Sequence, residues 1–425
     1  MSASASSACK LKLPGQPAGG TAQARPLTVQ VGPADAPRLA RAALRLLQHL
    51  HHGALDLTLP GGQTQRCGHG DPVAAATIHD WRVFGMAARS GDIGFAEAFR
   101  DGLWDSPDPA AVLRLFAANR EGLEALVYGR WWGTLLQRAQ HWLNRNTRAG
   151  SRRNIAAHYD LGNPFYRLWL DPTMNYSAAL FERGHGGDLA AAQRAKMVRA
   201  LRQCGIRHGQ RLLEVGIGWG SLAETAAGRF GARVTGVTLS KEQLAEARAR
   251  LHQAGLDGHA DLRLQDYRDI GDEPFDAIVS IEMFEAVGRQ WWPDYFRMLR
   301  SKLKPGGRAC IQSIVIRDDL FERYAAGTDF IQQYIFPGGL LPSTQVFEAQ
   351  AASAGLKVVD RFGFGRDYAE TLRRWRTSFT QHSDAVRGQG FDASFVRLWT
   401  FYLAYCEAAF DAGNTDVVQF TLEHA

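Results

Sequence analysis

Long hydrophobic runs are missing from this sequence. No stretch reaches the roughly 18 apolar residues that a membrane-crossing helix needs, so no such helix is expected. The opening MSASASSACKLKLPGQPAGGTAQARP is small, polar and rich in Gly and Pro. It lacks the apolar centre of a secretion signal, and residues 1–30 read as a disordered tail. Cysteine is scarce. The five residues Cys9, Cys67, Cys204, Cys310 and Cys406 are scattered with no CxxC spacing. That argues against a zinc site and a disulfide framework, and it fits a reducing cytoplasm. No internal repeat stands out. No NPPY-type motif or base-stacking signature favours nucleic acid as a partner.

What is present is an ordinary globular composition. The 425 residues are 45% hydrophobic and 22% charged, enough for one large domain and a smaller one. The net charge of +6 suits an anionic partner such as phospholipid headgroups. Its clearest concentration is RNTRAGSRRN (145–154), beside the Trp-rich YGRWWGTLLQRAQHWL (128–143). A basic, aromatic, amphipathic stretch can lie on a membrane surface. It can equally be a helix that packs one face on a core.

Along the chain, residues 36–52 read as a helix, and GALDLTLPGG (53–62) as a strand with a Gly turn. Residues 91–121 read as helices broken by DSPDP. Residues 31–125 therefore form a small mixed α/β domain, 126–153 a basic helical linker, and 154–425 a larger domain. In the larger domain strands and helices alternate. Strands are expected at 211–216, 233–240, 261–267, 275–281 and 307–316. Helices are expected at 220–230, 241–255 and 291–307. This pattern predicts an α/β, Rossmann-like, largely parallel sheet with its ligand at the carboxyl ends of the strands. The apolar stretch 391–413 reads as a long helix stopped by Gly413.

LLEVGIGWGSLA (212–223) is a strand, a glycine turn and a helix start. Glycines at a helix N-terminus let the backbone approach a ligand closely. A dinucleotide is the general alternative. Three features favour S-adenosylmethionine (SAM). The spacing is G-x-G-x-G; the next strand ends in Thr238, Leu239 and Ser240, with no acid; and the third ends in Gln265, Asp266 and Tyr267. Together they resemble the cofactor site of Rossmann-like class I SAM-dependent methyltransferases.

A longer set of motifs resembles the cyclopropane-fatty-acyl-phospholipid synthase family: NIAAHYDLGNPFYRLWLDPTMNYSAALF (154–181), LLEVGIGWG, GVTLSKEQ, DYRD, MFEAVG, YIFPGGLLPS (334–343) and RRWRTSF (373–379). The likeness is strong over 154–413 and weaker at GDIGFAEAFRDGLWD. It implies transfer of a methyl(ene) group from SAM to the cis double bond of an unsaturated acyl chain in a membrane phospholipid. Such an enzyme is expected in the cytoplasm, held peripherally on the inner membrane face, and a homodimer is compatible with it. The cofactor-lining residues implied are Tyr176, Ser177, Glu214, Gly216, Gly218, Trp219, Gly220, Thr238, Leu239, Ser240, Gln243, Gln265, Asp266 and Tyr267. An alkene is a poor nucleophile, so alignment must supply much of the acceleration. The cation that develops needs π or negative density and no water. Tyr334, Phe336 and Pro337 are candidates to shield it.

In typical members a bicarbonate ion is the base. It is held by a Cys, a Glu, a His, an Ile backbone and a Tyr. The matching positions here are Ala178, Glu285, Gln312, Ile314 and Tyr368. Two side chains that hold the ion are therefore replaced, which leaves bicarbonate in doubt as a cofactor. One acid is gained, because Glu282 stands where members commonly carry Gly. Three roles are open to it: replacing bicarbonate as proton acceptor, contacting the cofactor's amino group, or capping the following helix or pairing with an Arg. Cys406, at a position where members also carry Cys, reads as a small core residue beside the acyl channel. Loss of the ion site leaves C-methylation without ring closure as an alternative outcome. A soluble-substrate methyltransferase and a non-catalytic lipid-binding protein with a relict SAM fold are the competing classes.

Overall fold

The computed structural model describes residues 36–120, 122 and 161–425. The tail, the Trp-rich and basic stretches at 128–154, and His158, Tyr159 and Asp160 lie outside the described residues. Among the described residues no helix is long and apolar enough to cross a membrane.

The larger sheet has seven strands. They are β5 (Arg211–Val215), β6 (Arg233–Thr238), β7 (Ala260–Leu264), β8 (Phe275–Ile281), β9 (Leu303–Ile316), β10 (Leu356–Gly363) and β11 (Thr415–His424). Their order is β10-β11-β9-β8-β5-β6-β7. The five strands from β7 to β9 run parallel, and β11 and β10 add antiparallel pairs. The central strands are almost wholly buried, as expected when helices cover both faces. Chain order reverses between β5 and β8, so a crevice opens beyond their carboxyl ends. The expected strands at 211–216 and 275–281 are present. The expected helix at 291–307 stops at Lys302, because β9 already begins at Leu303.

The N-terminal sheet has order β2-β1-β3-β4. Its strands are β1 (Gly53–Thr58), β2 (Thr64–His69), β3 (Val73–Ile78) and β4 (Trp104–Asp105). Helices α1 (Arg38–Leu47), α2 (Arg82–Arg100) and α3 (Pro109–Ala118) accompany it. On the larger sheet lie α4 (Leu189–Cys204), α5 (Ser221–Phe230), α6 (Lys241–Gln253) and α7 (Trp292–Lys302), with α8 (Gly365–Gln381) and α9 (Ala393–Asp411) near the C-terminus.

The two parts share a core. Leu57, Trp104 and Leu115 from the N-terminal part pack in one cluster with Tyr368, Trp375 and Phe401 from α8 and α9. Arg397 on α9 donates to the carbonyls of Phe99 (2.5 Å) and Trp104 (2.9 Å). Glu407, with 0% of its surface exposed, accepts from Arg114 of α3 (2.8 Å) and from Arg373 (3.1 Å) and Arg376 (2.8 Å) of α8. Removing one partner of a buried ion pair strands the others, at about 3–5 kcal/mol. These arginines keep some access to water, which lowers the cost. Glu407→Ala should therefore destabilise the chain by about 2–4 kcal/mol in urea unfolding. An unchanged midpoint would show that the cluster is ornamental to stability.

Candidate active site

The glycine turn follows from local chemistry. Gly216, Gly218 and Gly220 have φ of 87°, 50° and 86°. A Cβ on Gly220 would lie 2.8 Å from the Ala247 Cβ, so this glycine lets α5 pack on α6. A Cβ on Gly218 would meet nothing within 4 Å, which leaves its backbone open towards the crevice.

Beyond the strand ends lies a cavity of about 160 Å³. Its walls include Tyr176, Ser177, Glu214, Gly216, Gly218, Trp219, Thr238, Leu239, Gln243, Gln265, Asp266, Tyr267 and Glu282. Twelve of the fourteen residues expected at the cofactor are thus brought together. The other two lie outside its walls. Ser240 caps α6, accepting from the Gln243 amide at 3.2 Å. Gly220 serves helix packing, as above. Asp266 lines the cavity, yet both its oxygens also accept from Arg268, at 2.8 and 2.6 Å. Trp219 donates to Asn163 Oδ1 at 2.7 Å, tying the glycine turn to the 154–181 motif region. A larger, mostly apolar cavity of about 550 Å³ lies elsewhere, between the N-terminal sheet and residues such as Tyr324 and Tyr405.

The cavity fits SAM chemically. Glu214 is 3% exposed, and its Oε2 is buried with no hydrogen-bond partner. Burial pushes its carboxyl well above the usual range, and the charge of Lys196 opposes this. A ligand that carries an ammonium would relieve that position. The open backbone at Gly218 admits the rest of such a ligand.

Glu282 is the feature that organises the site. It follows β8 with φ of 47°, a left-handed backbone that suits glycine and costs other residues about 1–2 kcal/mol. Its Oε1 accepts from the Ala178 amide (2.8 Å) and Gln312 Nε2 (2.7 Å), and its Oε2 from the Tyr368 hydroxyl (2.7 Å). Enclosure raises its carboxyl pKa, while Lys196 and these donors lower it. Among the described residues neither an arginine partner nor a helix cap accounts for it. The side chain ends among three of the five positions inferred for an anion: 178, 312 and 368. The other two, Glu285 and Ile314, meet each other, as the Ile314 amide donates to Glu285 Oε1. Glu285 Oε2 is buried without a partner. Burial and then the charge of Glu282 push Glu285 up to about 8. Burial thus raises both acids of the turn, and Glu285 carries the added repulsion of Glu282.

Other expected residues take different places. Tyr334 donates through its hydroxyl to Glu97 of α2. Tyr176 bonds Tyr402 through their hydroxyls at 2.6 Å. Cys406 is half-buried and packs against the aromatic core, and burial pushes its thiol up. A reactive thiolate is not expected there. Lys196, Gln193 and Gln419 escaped the sequence reading. All three are fully buried polar residues in apolar-looking stretches. The only available sign was a lysine on the inward face of an otherwise amphipathic helix.

Gly218→Ala should fold, with a loss of about 1–2 kcal/mol from the left-handed φ of 50° and no steric clash, because its Cβ meets no atom. Its affinity for S-adenosylhomocysteine should fall at least about tenfold, the factor that a 1.4 kcal/mol loss gives. Calorimetry checks this, and unchanged affinity would remove the glycine turn from the cofactor site.

The sequence profile of the mycolic acid cyclopropane synthetase family matches residues 146–420. The tuberculostearic acid methyltransferase of Mycobacterium tuberculosis is 41% identical over 352 residues, 79% of this chain and 79% of that protein. The cyclopropane-fatty-acyl-phospholipid synthase of Escherichia coli K12 is 33% identical over 354 residues, 83% of this chain and 88% of that protein. Among solved structures, the mycolic acid cyclopropane synthase CmaA1 complexed with SAH and CTAB aligns with a TM-score of 0.60 at 31% identity. That alignment covers 64% of this chain and 97% of CmaA1. With its Rossmann-like sheet and glycine turn, the chain belongs to the mycolic acid cyclopropane synthetase family and is a SAM-dependent methyltransferase that modifies acyl chains.

Proposed function

We propose that this enzyme transfers a one-carbon unit to the cis double bond of an unsaturated acyl chain of a membrane phospholipid, with Glu282 as the proton acceptor. The observation that carries the reading is the seat of the Glu282 carboxylate among Ala178, Gln312 and Tyr368. When bound, SAM supplies an electrophilic methyl group.

The chain's own residues then have separate tasks. Glu214, Gly216, Gly218, Thr238, Gln243, Asp266 and Tyr267 hold the cofactor. A C–C bond forms to one alkene carbon as the S–CH3 bond breaks, which leaves positive charge on the neighbouring carbon. The ionised Glu282 stabilises that charge and takes one proton from the transferred carbon. Three of the roughly four acceptor positions of a carboxylate are filled, and one on Oε2 remains. Tyr368 fixes the direction of that position.

Loss of a proton from the transferred carbon closes a cyclopropane ring directly, or gives a methylene branch once a hydride has shifted from the methyl-bearing carbon to the neighbouring cationic carbon. Ring closure is the first reading, from the family resemblance. A branched chain is the second, favoured by the 41% identity to the tuberculostearic acid methyltransferase and by the changed residues at 178 and 312. Expression in a host fed methyl-deuterated methionine separates the cases. Two retained deuterons mean a proton left the methyl group, and mild hydrogenation then reduces a methylene but spares a ring. Three retained deuterons would contradict proton transfer to Glu282.

Glu282→Gln should lower turnover about 10²- to 10⁴-fold at saturating SAM, the usual range for general-base loss. Glu282→Gly keeps the left-handed backbone without strain and opens space beside the donors of Ala178, Gln312 and Tyr368. Added bicarbonate should restore part of its activity and none of the Gln variant's. Full activity of Glu282→Gln without added anion would sink the base role.

A further inference from the structure

Lys196 on α4 has 0% exposed surface. Burial of an ammonium costs several kcal/mol unless it is compensated, which makes this side chain a feature to explain. Its Nζ donates to Ser177 Oγ at 2.6 Å. Burial lowers its pKa to about 8, and three carboxyls oppose that loss of charge: Glu282, Asp171 and Glu214. Asp171 is engaged locally, since its Oδ2 accepts from the Thr173 amide (2.9 Å) and hydroxyl (2.6 Å).

Glu285 makes a fourth carboxyl, and Glu282 repels its ionisation. One fixed ammonium cannot keep all of these ionised in an enclosed site. Hydrogen bonding decides which one gains. Glu282 accepts three hydrogen bonds, none of them from the ammonium, whereas Glu214 has one oxygen without any. The same helix also holds the segment that leads to Glu282. Gln193 Nε2 donates to the Ser177 carbonyl at 2.8 Å, beside the Lys196–Ser177 bond. The next residue, Ala178, gives its amide to Glu282.

We infer that Lys196 is a positioning residue for the reaction: its ammonium supplies the buried positive charge of the Glu282 site and, through Ser177, fixes the amide of Ala178 on that carboxylate. The inference rests on Glu282 as the proton acceptor. Other titratable groups facing the pair do not substitute for it. Burial keeps Tyr368 and Tyr402 as phenols and Cys406 as a thiol through the neutral range. Near neutral pH the exchange of charge is therefore among Lys196, Glu282, Glu285 and Glu214.

Loss of the positive charge raises the Glu282 pKa, so a higher pH is needed to ionise the base. In Lys196→Met the acid limb of kcat/KM should move up by about one pH unit or more, as loss of a nearby opposite charge does. At a fixed pH on that limb, each pH unit of movement lowers kcat/KM about tenfold. In Lys196→Arg the limb should stay in place. A loss of activity equal at every pH, with the limb unmoved, would overturn the inference and leave Lys196 a packing residue.

A second measurement does not depend on these variants folding. The infrared difference between wild type and Glu282→Gln at neutral pH should show no protonated-carboxyl stretch lost with Glu282. Loss of such a band would mean that Glu282 is protonated in the wild type despite Lys196, and would overturn the assignment. The two ideas fail separately. An active Glu282→Gln removes the base itself, whereas an inactive one with an unmoved limb in Lys196→Met removes only the lysine's role.

Discussion

The site depends on a carboxylate fixed at the end of a central strand. Glu282 lies where β8 leaves the sheet, in a backbone conformation that glycine adopts freely. The strain is offset by hydrogen bonds from three different parts of the chain: the 178 segment, β9 and α8. Gln312 is itself held, because Gln419 of β11 donates to its Oε1 at 3.0 Å and Arg199 of α4 donates to Gln419 at 2.7 Å. A polar chain thus runs from α4 through β11 and β9 to Glu282. In an enclosed setting such a chain is strong when complete and costly when broken.

That arrangement explains why the antiparallel end of the sheet matters to chemistry. Insertion of β11 between β10 and β9 carries Gln419 beside Gln312. Helix α8 carries Tyr368 into the site and, two turns on, Trp375 into the shared core with the N-terminal part. Arg373 and Arg376 of the same helix meet Glu407 of α9, which Arg114 of α3 also reaches. The N-terminal part therefore braces the helix that orients the carboxylate, whatever else it contacts.

Much of this was legible in the sequence. Strand–helix alternation from residue 205 onward gave the parallel half of the sheet, because buried central strands are continuous apolar runs. The glycine turn marked the cofactor site through a backbone requirement that only glycine meets cheaply. Two acids ending a buried strand, Glu282 and Glu285, were visible in the sequence, and the structure places both among hydrogen-bond donors at the end of β8. The antiparallel strands were less legible: β11, with polar residues such as Gln419 and Thr421 at buried positions, reads as a weak strand. At Ser240 and Gly220 the structure shows a cap and a helix contact beside residues that line the cavity. Lys196 was invisible for a different reason. Its meaning comes from four carboxyls that are remote in sequence and meet only in the fold.

The central claim is that the Glu282 carboxylate stands where the proton leaves the transferred carbon. A structure of the enzyme with S-adenosylhomocysteine and an unsaturated phospholipid bound tests it most directly. The account predicts Glu282 Oε2 facing the space between the cofactor sulfur and the double bond, within about 3–4 Å of the carbon's path, close to hydrogen-bond reach. Tyr368 should still donate to that oxygen, and no separate anion should lie between them. A bicarbonate ion in that space, with Glu282 turned towards the cofactor's ammonium, would contradict it.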